Sequence, residues 1–224
     1  MQHAMYNYWQ GDMMIATLPK TPPKIFYPER DGKPMGETDA HIAQILDLRF
    51  SLSRYFHNAP NVYVAADLLF YYVEGEPKEF VVPDVFVVKG VPKGERRVYK
   101  LWEEGRAPDV IFEITSLSTR REDLGSKKVL YADLGVTEYF VFDPMNGSLR
   151  GFRLRGSDYQ PLESPIFSES LELELRVESY RLRLYDPKTK KRLMTADEAD
   201  DAREEAEEEN KRLKAEIERL KGKP

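Results

Sequence analysis

Two stretches of this chain are apolar almost throughout, and yet each holds a carboxylate. Asp84 lies in VVPDVFVV (residues 81–88), and Glu113 lies in PDVIFEIT (residues 108–115). Short runs rich in Val, Ile and Phe read as strands covered on both faces. Such strands need a layer on either side, which points to a sheet flanked by helices. A carboxylate inside one is costly unless it is paired or holds a cation. The two positions therefore constrain the fold and its chemistry together.

The rest of the chain supplies the flanking elements. Residues 1–36 hold five of the fifteen prolines and read mostly as loop. A helix is expected from about Asp39 to Phe56, capped by Thr38 or Asp39, with Ile42, Ile45, Leu46, Leu52 and Phe56 as its apolar stripe. Strands are expected over 61–73, 80–88 and 108–115. Thr119 and Glu122 form a capping box for a second helix ending near Gly135. A fourth strand over 137–143 turns through Pro-Met-Asn-Gly into 148–154. A further β pair occupies 171–177 and 180–185. The expectation is an α/β fold with a mixed sheet and extra β hairpins.

From Thr195 the character changes. Residues 197–209 carry nine acidic side chains and one arginine. Thr195 and Glu198 make another capping box. With Leu213 and Leu220 at heptad position d, Asn210 and Ile217 fall at a, a short zipper pattern in which Asn favours parallel pairing in register. A solvated charged helix explains the same composition equally well. The domain expectation is a body over 1–194 and a charged C-terminal helix over 195–224, with homodimerisation through 199–222.

Bulk properties exclude some classes. There is no cysteine, so disulfides and thiolate zinc sites are out, and three histidines make a zinc hydrolase a poor fit. A cysteine-free chain suits the cytoplasm. No apolar run approaches the roughly 18 residues of a membrane span, and the N-terminus lacks a signal-peptide pattern. Net charge is −5, which argues against strong non-specific nucleic-acid binding. Lys89, Lys93, Arg96, Arg97 and Lys100 form one basic loop that can meet a phosphate backbone.

Periodicity selects the chemistry. Alternation puts Asp109, Ile111, Glu113 and Thr115 on one strand face. At about 100° per residue, Leu124, Lys127, Tyr131 and Leu134 share a helix face, while Lys128 turns toward solvent. A lysine thus faces two carboxylates. A hard divalent cation would resolve their burial, because Mg²⁺ takes one or two carboxylates with water and phosphate oxygens. A charged lysine beside it can orient water or stabilise phosphate charge. Such a trio suits phosphodiester cleavage, whereas a simple ion pair explains any one of the residues alone.

The segment PDVIFEITSLSTRREDLGSKKVLYADLGVTEYFVFDP resembles the signature of the Uma-two family, formerly a domain of unknown function and similar to PD-(D/E)XK nucleases. The likeness spans about residues 10–190 and is specific over 84–144. It implies a restriction-endonuclease-like core of helix, three strands, helix and strand. It also implies a Mg²⁺ site, with Mn²⁺ as a substitute, in which Asp84 and Glu113 bind metal and DNA is the substrate. The superfamily pattern places a lysine two residues after the glutamate, where this chain has Thr115. Lys127 on the following helix matches the displaced position. Ser116 and Tyr131 match family positions as supporting residues, and Glu37 stands where the superfamily often has an acid. Glu37 also serves as a helix-start acid, and His41 is either a core or a site residue. Asp109, at the head of its strand, suits a turn.

The alternative is a catalytically silent nuclease-fold protein that binds DNA or scaffolds, self-associating through its C-terminal helix. A hydrolase of small phosphate esters ranks lower, because no Gly-rich phosphate loop is present.

Overall fold

Thr38 caps α1 (Asp39–Tyr55), its hydroxyl accepting from the His41 amide at 3.3 Å. A computed structural model describes residues 25–29, 38–115 and 119–221. The buried face of α1 is His41, Gln44, Ile45, Leu48, Ser51 and Leu52. Ile42 and Leu46, expected in its apolar stripe, are 46% and 60% exposed. Gln44 belongs on the buried face because its amide bonds both the N–H and the C=O of Leu182.

The elements that follow are β1 (Val62–Ala66), β2 (Phe70–Tyr71), β3 (Phe80–Val81), β4 (Val85–Lys89), β5 (Tyr99–Lys100), α2 (Leu101–Glu104), β6 (Val110–Ile114), α3 (Arg120–Asp123), α4 (Ser126–Asp133) and β7 (Glu138–Asp143). Next come β8 (Ser148–Arg155), β9 (Asp158–Pro161), β10 (Ile166–Ser168), β11 (Leu173–Glu178), β12 (Arg181–Asp186), β13 (Lys191–Arg192) and α5 (Ala196–Lys221). The six-stranded sheet runs β1-β4-β6-β7-β8-β9 and is mixed, with β6 and β7 parallel and the other pairs antiparallel. Two smaller sheets, β10-β11-β12-β13 and β3-β2-β5, pack against it. The expected α/β order of helix, three strands, helix and strand is present.

Three boundaries differ from the sequence reading. The run over 61–73 splits at Asp67, whose φ of +48° turns the chain so that β1 and β2 join different sheets. The run over 80–88 splits at Pro83 and Asp84, since proline has no N–H for a ladder. The helix over 119–135 breaks at Gly125: a Cβ there would sit 2.7 Å from the Arg121 carbonyl oxygen.

Alternation gives the main sheet two apolar faces. Val85, Val87, Val110, Phe112, Phe140 and Phe142 pack against α1 and the β11–β12 pair. Phe86, Val88, Ile111, Tyr139 and Val141 pack against Tyr131 of α4 and against Phe70 and Tyr99. Continuous burial of β4, β6 and β7 follows from both faces being covered.

At the far end, the capping box of α5 forms as expected: Thr195 N–H donates to Glu198, and Glu198 N–H donates to the Thr195 hydroxyl. Glu198 also pairs with Arg183 and Arg192, tying the first turn to the small sheet. No residue of α5 is buried. Among the described residues no helix is long and apolar enough to cross a membrane.

Candidate active site

Strand register brings the first two site residues together. Val85 pairs with Phe112, Phe86 with Ile111 and Val87 with Val110. Continuing that register by one residue sets Asp84 opposite Glu113, on the sheet face covered by α4. Because β4 ends at Val85, the Ile114 N–H lies beyond the ladder, and the Asp84 carboxylate accepts it. The other Asp84 oxygen faces His41 Nε2 at 3.5 Å. One side chain thus closes the end of the strand pair and joins α1 to the site.

Glu113 is 1% exposed. Its Oε2 accepts from Lys127 Nζ at 2.9 Å, and its Oε1 accepts from the Tyr131 hydroxyl at 2.7 Å. Lys127 and Tyr131 stand one turn apart on α4, so a single helix face grips one carboxylate. Tyr131 acts directly on Glu113, beyond the packing position that sequence suggests. Lys128, expected toward solvent, is half-buried with its ammonium 4.0 Å from the Phe152 ring centre.

A third carboxylate completes the cluster. Asp123 is 1% exposed, and its Oδ1 lies 3.0 Å from Lys127 Nζ. Sequence reasoning passed over it because it lies in a charged Arg-Arg-Glu-Asp run that resembles a solvated helix start. Its four-residue spacing to Lys127 was the available signal. The Tyr139 hydroxyl anchors the Asp123 carbonyl at 2.8 Å.

The electrostatics follow from burial. Loss of water pushes the Glu113 carboxyl up to about 8; Lys127 opposes the rise, and Asp84 and Asp123 add to it. Burial disfavours the Lys127 charge, but Glu113 and Asp123 outweigh it and raise its pKa, so it stays an ammonium. Burial raises Tyr131 well above the ordinary phenol range, helped by the Glu113 charge, so it remains a hydroxyl donor. With every acid ionised, the described residues set three carboxylates against one ammonium, a surplus of two negative charges.

The donor set fits a hard divalent cation. Each Glu113 oxygen serves one donor and keeps a lone pair, and Asp84 accepts one backbone N–H. Among the described residues no group of three His, Cys, Asp or Glu side chains converges as a metal cage.

Other candidates fall elsewhere. Glu37 and Ser116 lie outside the described residues. Thr115, at the position where the superfamily pattern has lysine, is buried, with its hydroxyl 3.4 Å from that of Thr119. Asp109 accepts the Lys89 N–H at 2.6 Å and links the ends of β4 and β6. The basic loop is largely engaged within the chain. Lys93 donates to the Phe56 and His57 carbonyls, Arg96 grips Glu104 over the Tyr63 ring, Arg97 pairs with Glu29, and Lys100 pairs with Glu103. A cavity of about 530 Å³ lies between α1, β1 and this loop, and none of Asp84, Glu113 and Asp123 lines it.

Comparison with known proteins follows the same lines. The Uma2 family model, described as "Putative restriction endonuclease", matches residues 17–184, three quarters of the chain. A crystal structure of a "putative nuclease belonging to DUF820" from Anabaena variabilis ATCC 29413 superposes with a TM-score of 0.50 at 17% identity. The match covers 68% of this chain and 87% of that one, which shows a shared fold. No curated protein matches.

Proposed function

The chain belongs to the Uma2 family, and from that premise we propose that it is a Mg²⁺-dependent endonuclease of PD-(D/E)XK type that hydrolyses phosphodiester bonds of DNA in the cytoplasm. The observation that carries the reading is the charge imbalance around Glu113. Among the described residues two buried carboxylates and the neighbouring Asp84 share one ammonium, and one divalent cation would cancel the remainder.

Asp84 and Glu113 would hold the ion, with Mn²⁺ able to replace it. Bound there, it would act as a Lewis acid on the phosphate and lower the pKa of a water. The protein's own groups have distinct tasks. Tyr131 and Lys127 fix the plane of the Glu113 carboxylate. The Ile114 N–H and His41 hold Asp84 across from it. Lys127 is 18% exposed, while the Glu113 side chain beneath it is 2% exposed. The Lys127 side chain therefore keeps some access to solvent, and its ammonium can orient an attacking water or meet phosphate charge. Displacement from the strand to α4 leaves this task intact, because it is the position of the Nζ atom that matters.

The test is cleavage of plasmid and single-stranded DNA with Mg²⁺, Mn²⁺ or EDTA. Wild type cuts with either metal and stops in EDTA, while Asp84→Ala and Lys127→Ala fail to cut. Equal cutting by Lys127→Ala would remove the lysine from the mechanism, and cutting in EDTA would remove the metal.

The same reading makes the protein a homodimer through α5. Leu213 and Ile217 are each 48% exposed and Leu220 is 58% exposed, consistent with a heptad seam awaiting a second copy.

A further inference from the structure

We propose that Asp123 is a positioning residue for Lys127, the second carboxylate that keeps the ammonium over the site when Glu113 turns toward a divalent cation. The inference rests on the reading of Asp84 and Glu113 as metal ligands. Lys127 Nζ lies 2.9 Å from Glu113 Oε2 and 3.0 Å from Asp123 Oδ1, so it bridges two carboxylates at equal range. Without Asp123, a metal sharing Glu113 with Lys127 would take up much of the negative charge that holds the ammonium and would repel it toward solvent. With Asp123, the ammonium keeps an anionic partner and moves little.

The fold builds this placement deliberately into one short segment. Gly125 breaks the helix where a side chain would strike the Arg121 carbonyl. Across the break Asp123 at the end of α3 and Lys127 in the first turn of α4, four residues apart, still face each other. Tyr139, from β7, pins the Asp123 backbone from the sheet side. A carboxylate only 1% exposed is expensive to bury without a cation beside it. Because no group of three acids converges as a metal cage among the described residues, Asp123 is assigned to the lysine and not to the metal.

The experiment reads the ε-ammonium groups of the full-length protein by NMR after ¹⁵N-lysine labelling, with Lys127→Arg identifying the Lys127 signal. Without metal, Asp123→Asn speeds hydrogen exchange at Lys127 roughly tenfold, the loss of one close ion pair. Asp123→Glu restores most of the protection, and the Lys128 signal does not move. Unchanged exchange in a natively folded Asp123→Asn protein overturns the assignment. Should that variant fail to fold, Asp123→Ser carries the same expectation and the same overturning result. A second arm adds Mg²⁺. Lys127 stays protected in wild type and loses all protection in Asp123→Asn; exposure of Lys127 in wild type overturns the proposal. If calorimetry detects no Mg²⁺ binding to wild type, the metal reading fails, while the metal-free comparison still decides the role of Asp123.

Discussion

Glu113 on β6 and Glu138 on β7 are equally sealed from solvent, at 1% and 0% exposure, and sit on neighbouring parallel strands. Their surroundings differ completely. Glu138 accepts from Arg153 Nε and Nη2, from the Ser168 hydroxyl, and from the Glu169 and Ser170 amides. The Arg153 guanidinium, which also reaches Glu169 at the surface, and three further groups satisfy it, and it locks β8 and the start of the β10–β11 turn to β7. Among the described residues Glu113 accepts from two donors, shares the Lys127 ammonium with Asp123, and faces Asp84. A saturated carboxylate is a fastener; an unsaturated one with surplus negative charge is a binding site.

The contrast can be broken most forcefully at Glu113 itself. Glu113→Ala should lower DNA cleavage at least about 10⁴-fold, the scale for losing a member of a cooperating site, with thermal stability near wild type. Glu138→Ala should do the reverse, losing about 3–5 kcal/mol of stability because Arg153 loses its buried partner and the Ser168 hydroxyl and the Glu169 and Ser170 amides lose their acceptor. Cleavage by that variant, measured below its melting temperature, should persist. Loss of activity in both, or of stability in both, would dissolve the distinction.

Two smaller effects sharpen it. Tyr131→Phe removes one of the two donors to Glu113 and should weaken Mg²⁺ binding about 10-fold or more by calorimetry. Proton linkage gives another handle. Glu113 has a folded value of about 8 against an ordinary 4.5, so between those limits the metal-free native state holds more protons than the unfolded chain. Its contribution to stability is therefore full below 4.5 and declines as pH rises through the window. Mg²⁺ displaces that proton, so its affinity should climb roughly tenfold per unit as pH approaches 8. Titrations in buffers of different ionisation enthalpy would count the released proton, and a flat affinity would refute the linkage. Smallest in energetic terms is α5. Leu213→Asp with Leu220→Asp should shift the sedimentation mass from dimer to monomer without altering the melting curve of the body.

Local periodicity carried much of the site. Alternation along 108–115 put Glu113 on an inward face, and helical spacing chose Lys127 over Lys128; both are properties of a few consecutive residues. Segment boundaries inside 61–73 and 119–135 were not legible, because Asp67 at positive φ and a close Gly125–Arg121 approach leave no periodic trace. The stripe of α1 was misjudged for a related reason: Gln44 is buried by bonds to Leu182, 138 residues away, and hydrophobicity alone cannot anticipate that.

What the sequence determined by itself was Asp84, Glu113 and the lysine facing them, since each depends on short-range geometry. Which glutamate would be saturated and which left wanting a cation was decided by tertiary structure. Glu138 meets Arg153 through the β7–β8 register, and Glu113 meets Asp123 through a helix kink and Asp84 through the β4–β6 pairing. Charge balance at a buried point is a sum over distant segments, and only packing brings its terms together.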